Sequence, residues 1–245
     1  MLDTDYIIHL AGAGVADENW SEHRKQEILE SRLLSTKLLY QAVEKATVRP
    51  KVIIAAAAIG YYGADTGNIC LDESSPLGDG FLADVCRQWE IEIKKFENLG
   101  VRTVILRLGI VLSEKGGAYE KMILPIKIGM GAALGTGKQI ISWIHIDDLV
   151  NMILYSLQND RIEGIFNAVA PNPVNNEDFN RIASKVLHRP FWLPNVPSFL
   201  LELILGERSS IILGGNKVSA KKIKDAGFRF QFEELDTAIK NLSTK

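Results

Sequence analysis

Three short apolar runs, each closing on small residues, alternate with long helical patterns in this chain. Tyr6-Ile7-Ile8-His9-Leu10 runs into Ala11-Gly12-Ala13-Gly14, Lys51 to Ala58 into Gly60-Tyr61-Tyr62-Gly63, and Thr103 to Leu108 into Gly109-Ile110-Val111-Leu112. Continuous apolar, partly β-branched runs of this length fit strands buried on both faces. Between them Ile28, Leu29, Leu33, Leu34, Leu38, Ala42 and Val43 recur at spacings of three to five. Further on, Leu82, Val85, Trp89, Ile93 and Phe96 form a second apolar stripe over 81–99, with Gly100 placed to cap it. Strands alternating with helices predict an α/β fold with a parallel sheet, right-handed crossovers and helices on both faces. Small residues at strand C-termini leave room for a ligand there.

Beyond Ser113 the pattern loosens. Tyr119 to Lys127 is expected to be helical, Gly129 to Gly137 to be a flexible loop over the cleft, and Ile140 to His145 to be a short strand. Asp147 or Asp148 is placed to cap a helix running to Leu157, and Asn175 or Asn176 to cap another that ends near His188-Arg189-Pro190. The apolar segment from Phe199 to Leu213 reads as a buried or packing helix followed by a turn. The tail from Pro190 forms a small, mostly helical C-terminal region.

Composition narrows the function. Apolar residues make up 47% and charged residues 24%, enough for a substantial core. A net charge of −2 argues against nucleic acid or an anionic membrane as partner, since phosphate backbones are held by excess Lys and Arg. Cys70 and Cys86 have no CxxC spacing and fit reduced thiols in a cytoplasmic protein. No secretory signal or membrane span is visible, and a small-molecule ligand is expected.

Phosphate-cradling loops are missing. Gly12-Ala13-Gly14 fails G-x-G-x-x-G because Asp17 stands at the last position, and Gly129 with Gly131 fails because Leu134 does. The P-loop spacing fails too, since Gly137-Lys138 is followed by Gln139 and the upstream glycine position is Ala132.

Taken in order, several segments carry a more specific signal. They are Ile8 to Gly14, Arg24-Lys25 with Ser31-Arg32, Ala57 to Gly63, Asp72-Glu73, Phe81-Leu82-Ala83, Trp89-Glu90, Arg107 to Leu112 and Trp143 to Leu149. The series resembles the atypical branch of the extended short-chain dehydrogenase/reductases, the NAD-dependent epimerase/dehydratase-like family. The stretch around Gly215 to Phe230 resembles that branch's C-terminal domain of unknown function. The resemblance implies a Rossmann-like core over 1–189, a small C-terminal domain over 190–245, NADP or NAD as cofactor, and a monomer or homodimer. It also implies about two further strand–helix units ahead of Met1, the glycine loop among them, so that the chain reads as N-terminally truncated and its own cofactor binding as doubtful.

The superfamily's usual Asn, Ser/Thr and Tyr-x-x-x-Lys group is not matched. None of the six tyrosines has Lys four residues on. By the resemblance, Phe81 or Leu82 falls on the Tyr, Val85 or Cys86 on the Lys, Ala57 or Ala58 on the Ser/Thr, and Arg32 on or near the Asn. Tyr61, Tyr62 and His145 remain as catalytic candidates. Leu10, Ala11, Gly12, Ala13, Ala55, Ala56, Ala57, Arg107, Leu108, Gly109, Ile110 and Val111 are the candidate cofactor contacts. Three readings stay open: an epimerase- or reductase-like enzyme, a dinucleotide-binding sensor or scaffold without catalysis, and a truncated chain unable to bind the cofactor.

Overall fold

The computed structural model describes residues 4–244. In chain order the elements are β1 (Tyr6–His9), α1 (Glu22–Glu44), β2 (Val52–Ala58), β3 (Cys70–Leu71), α2 (Phe81–Lys94), β4 (Arg102–Leu108) and β5 (Ile110–Leu112). They continue with α3 (Ala118–Lys127), β6 (Ile140–Ile141), β7 (Trp143–His145), α4 (Ile146–Gln158), β8 (Gly164–Ala168), β9 (Val174–Asn175) and α5 (Asn176–Val186). The last are α6 (Ser198–Leu205), α7 (Ser209–Leu213), β10 (Lys217–Val218), α8 (Lys221–Asp225) and α9 (Leu235–Ser243).

Among the described residues the main sheet is parallel, in the order β1-β2-β4-β8. Residues 52–57 of β2 and 103–107 of β4 are buried throughout, as continuous apolar runs between helical layers should be. On one face Ala55, Ala57 and Ile105 pack under Trp89 and Ile93 of α2. On the other, Ile54, Val104, Leu106 and Phe166 pack against Leu149, Met152 and Ile153 of α4. The sheet with helices on both faces has the Rossmann-like architecture.

The α2 stripe turns inward, and Gly100 ends the 3-10 turn after it in the left-handed region, at φ 73°. Only part of the α1 stripe does so. Ile28 and Val43 are buried, whereas Leu34 and Leu38 are exposed because the helix packs with one face only.

The C-terminal region joins the same cores. β10 pairs with β3, and Leu235, Ala238, Ile239 and Leu242 of α9 pack with Trp143, Phe179 and Ala183. The segment read as a buried or packing helix is different. No residue of α6 is buried, and Phe199, Leu203 and Ile204 are exposed, because its apolar residues find no covering element among the described residues. The glycine-rich loop over 129–137 does not roof the cleft. It is tied to the C-terminal region, where Gly135 N donates to Val196 O, and to α5, where Leu134 N donates to Asn176 Oδ1. No helix among the described residues is long and apolar enough to cross a membrane.

Candidate functional site

A cleft of about 560 Å³ opens at the C-terminal ends of β1, β2 and β4. This is where open parallel sheets bind ligands, because strands end there and the following loops diverge. Leu10 and Gly12 line it from the end of β1, Ala56 and Ala57 from β2, and Leu108, Gly109, Ile110 and Val111 from the end of β4 through β5. The α1 and α2 helices add Arg32, Phe81, Leu82, Cys86 and Trp89. The opposite wall comes from the C-terminal region through Ser210, Ile211 and Asn216. Sequence reading places the substrate between the sheet edge and the tail but names none of these residues, which lie about one to two hundred positions beyond the strand ends they face.

Two glycines have structural reasons. A Cβ on Gly109 would stand 2.4 Å from Ser142 O, a backbone atom that cannot yield. A Cβ on Gly12 would stand 3.0 Å from Arg32 Cζ, so Gly12 is the floor on which that guanidinium lies.

Other sequence candidates lie outside the cleft. Ala55 is wholly buried beneath α2, where its small size admits Trp89 and Ile93. Ala11 does not line the cleft, and Ala13 N donates to Ser31 Oγ at 2.9 Å. Arg107 faces Glu90 of α2 in a buried two-pronged pair, Nε–Oε1 at 2.7 Å and Nη2–Oε2 at 2.9 Å. Burial alone would weaken its hold on the proton, but the Glu90 hydrogen bonds reverse this and raise its pKa.

The two tyrosines complete the same structural network. Tyr61 lays its ring 3.5 Å from Arg107 Cζ, and Tyr62 is buried with its hydroxyl accepting from Arg107 Nη1 at 3.0 Å and donating to Asn167 Oδ1 at 2.7 Å. Burial raises the Tyr62 pKa, so this hydroxyl holds its proton against the neighbouring guanidinium. A committed hydroxyl out of reach of the cleft is a poor acid or base.

His145 is likewise no cleft residue. It is fully buried, its ring is stacked on Phe232 at 3.9 Å, and its Nδ1 caps α4 by accepting from Asp147 N at 3.1 Å. The cap expected of an aspartate is therefore an imidazole. Asp148 instead accepts from Gln231 N and Phe232 N, pinning the C-terminal region to α4. Asn175 caps α5 through Asp178 N.

The electrostatics of the cleft reduce to three titratable residues among its lining: Arg32, Asp79 and Cys86. Asp79 is exposed at the mouth. Burial pushes the Cys86 thiol up to about 12, so it is neither base nor nucleophile at neutral pH. Arg32 is partly buried, and desolvation lowers its pKa. Its Nη1 donates to Ile28 O at 2.8 Å, and its Cζ stands 5.1 Å from the Trp89 ring centroid. No group of His, Cys, Asp and Glu able to hold a metal occurs among the described residues.

Comparison with known proteins agrees with this geometry. Residues 1–168 match the NAD dependent epimerase/dehydratase family, and residues 196–242 match a domain of unknown function, DUF1731. The epimerase family protein YfhF of Bacillus subtilis is 40% identical over 238 residues, covering 97% of this chain and 78% of its own. A chloroplastic homolog of epimerase family protein SDR39U1 from Arabidopsis thaliana is 39% identical over 236 residues, covering 96% of this chain and 67% of its own. The crystal structure of human epimerase family protein SDR39U1 with NADPH superimposes with a TM-score of 0.93 at 31% identity, over 100% of this chain and 83% of that one. The strand order, the cleft at the strand ends and these matches lead to one conclusion: the chain belongs to the NAD dependent epimerase/dehydratase family and carries the DUF1731 domain at its C-terminal end.

Proposed function

We propose that the cleft holds the nicotinamide end of NADP or NAD with a small carbonyl or sugar-like substrate beside it, in an epimerase- or reductase-like protein. The observation that carries this reading is the row of small and apolar residues at adjacent strand ends, Gly12, Ala56, Ala57 and Leu108 to Val111, lining one cavity. Human SDR39U1, whose fold this chain shares, was crystallised with NADPH. The residues present fit such a group. Ala56 and Ala57 clear space at the sheet edge, Leu10, Ile110 and Val111 offer an apolar wall, and Arg32 offers cationic donors. When bound, a nicotinamide dinucleotide supplies hydride transfer. The chain's own contribution is to exclude water with its apolar walls and to present Arg32 to ligand oxygens.

A second reading, a dinucleotide-binding sensor or scaffold without catalysis, draws support from the same lining. Arg32, Asp79 and Cys86 are its titratable groups, and Tyr, His and Lys are absent from it among the described residues. A general acid would then have to come from the substrate or from water.

Titration with NADPH and NADH, followed by nicotinamide fluorescence, tests the shared premise. Saturable binding of one or both is expected, and no saturable binding of either overturns both readings for this chain in favour of one unable to bind the cofactor. Turnover across a panel of carbonyl and nucleotide-sugar compounds then separates them, since binding without turnover favours the sensor.

A further inference from the structure

We propose that Arg32 is the anion anchor of the cleft, with its guanidinium binding a carboxylate or phosphate oxygen of the ligand. The inference rests on reading this cleft as the ligand site, but it does not require the ligand to be a dinucleotide.

Three of the arginines that enter the interior are matched by acids, while a fourth, Arg208, is held by Ala16 O and Asn19 Oδ1. Arg107 pairs with Glu90. Arg24 sits 2.6 Å from Glu27, with Asp17 and Glu18 at 3.9 Å. Arg102 donates to the carbonyls of Ser156 and Ile162 and lies 3.5 Å from Asp160. Arg32 has no carboxylate within ion-pair distance among the described residues. Its partners are one carbonyl of its own helix and the face of Trp89. A guanidinium carries five donors in a planar fork, so most of this fork lacks a protein acceptor. The fork is partly desolvated, which lowers its pKa, and a charge removed from water without a partner is costly.

The surroundings define what satisfies it. Trp20, Phe81, Leu82, Val85 and Ile110 make the neighbouring lining apolar, and Asp79, the other charged lining residue, is exposed at the mouth. Cys86 stays a neutral thiol and supplies no counter-charge. Gly12 leaves room for the guanidinium beside the end of β1, where both residues line the cleft. A ligand with an apolar body and one anionic oxygen group fits this pattern, because Arg binds carboxylate and phosphate through two parallel hydrogen bonds. The anionic group has two sources, a dinucleotide phosphate or a substrate carboxylate.

Calorimetric titration of the full chain with NADPH, with benzoate and with the neutral analogue benzamide separates them. The proteins compared are the wild type, Arg32→Gln and Arg32→Lys. Arg32→Gln should weaken the anionic probe at least tenfold and leave benzamide unchanged, with Arg32→Lys in between. Loss of NADPH affinity identifies the phosphate source, and loss of benzoate affinity identifies the carboxylate source. Wild-type protein that binds benzoate but not NADPH overturns the dinucleotide reading and leaves the anchor standing. Arg32→Gln binding both anions within twofold of wild type overturns the anchor, as does wild-type protein that binds neither. If Arg32→Gln melts too early to titrate, phenylglyoxal labelling of wild-type Arg32 read by mass spectrometry decides. Protection by NADPH or benzoate supports the anchor, and equal labelling with and without them overturns it.

Discussion

Arg107 and Arg32 both bring a guanidinium beneath the ends of the central strands, and their surroundings differ in one respect. Arg107 is fully occupied, with two prongs on Glu90, a third donor on Tyr62 and a tyrosine ring against its face. Arg32 is partly open, with one carbonyl and one indole. Cations of the first kind hold elements together: the Glu90–Arg107–Tyr62–Asn167 chain links α2, β4 and β8. Asn167 N extends it to Glu73, accepting at 2.7 Å, so the loop after β3 is tied in as well. Cations of the second kind are held ready for something that is not protein. Charge alone would not separate the two, but burial and the count of their partners do.

Breaking the filled pair should have the largest effect. Glu90→Leu leaves the Arg107 charge buried and uncompensated, at a cost of about 3–5 kcal/mol in unfolding free energy. The double variant Glu90→Leu/Arg107→Met should recover most of that loss, since an apolar pair of similar volume replaces two desolvated charges. Arg32→Met should cost under about 1 kcal/mol, because it gives up one hydrogen bond while relieving a desolvated charge. Denaturant melts of the four proteins decide the matter. Equal losses at Glu90 and Arg32 would dissolve the distinction.

The contrast between the two arginines was only half legible in the sequence. The runs that became β1, β2 and β4, the α2 stripe and the Gly100 cap can be read locally, because periodicity and turn chemistry are local. The clustering of Leu10, Gly12, Ala56, Ala57 and Leu108 to Val111 along one cleft follows from parallel strand order. Glu90 as the partner of Arg107 does not, since the two meet across a helix–sheet interface. Tyr61, Tyr62 and His145 looked available for chemistry because sequence shows residue type and not occupancy. In the fold their polar or aromatic groups are engaged with Arg107, Asn167 and the N-terminus of α4. α6 misled in the opposite direction, since its composition signals burial and its residues are exposed.

A second, smaller effect comes from His9, which braces the helix that carries Arg32. His9 Nε2 lies 2.9 Å from Thr36 Oγ1, and Trp89 Nε1 donates to the same oxygen. The single Thr36 proton goes to Arg32 O at 2.7 Å, so His9 must be the donor through Nε2–H. Burial lowers the His9 pKa below its ordinary value of 6.5. A depressed pKa means the unfolded chain takes up the proton first. Stability is therefore present above about pH 6.5 and is lost as pH falls toward the folded value. Thermal melts from pH 7.5 to 5 should show the wild type losing more than His9→Gln over that interval. Parallel curves would remove His9 as the cause.

The finest test of the open guanidinium is Gly12→Ala. The added Cβ would stand 3.0 Å from Arg32 Cζ and 3.2 Å from Cγ and Nε, too close to be ignored. The obstructing group is the end of a flexible side chain, however, and no backbone atom lies among the contacts. Arg32 can therefore swing a few tenths of an ångström aside, and stability should change by less than about 0.5 kcal/mol. Recognition is less forgiving, because two parallel hydrogen bonds from a planar fork depend on its angle as well as its position. Affinity for the anionic probe should fall by roughly two- to fivefold at unchanged melting temperature, less than in Arg32→Gln but in the same probe. A loss confined to affinity would show that Gly12 serves the placement of Arg32. A loss of stability without loss of affinity would show that Gly12 serves only the turn after β1, and that the cation above it is free of the ligand.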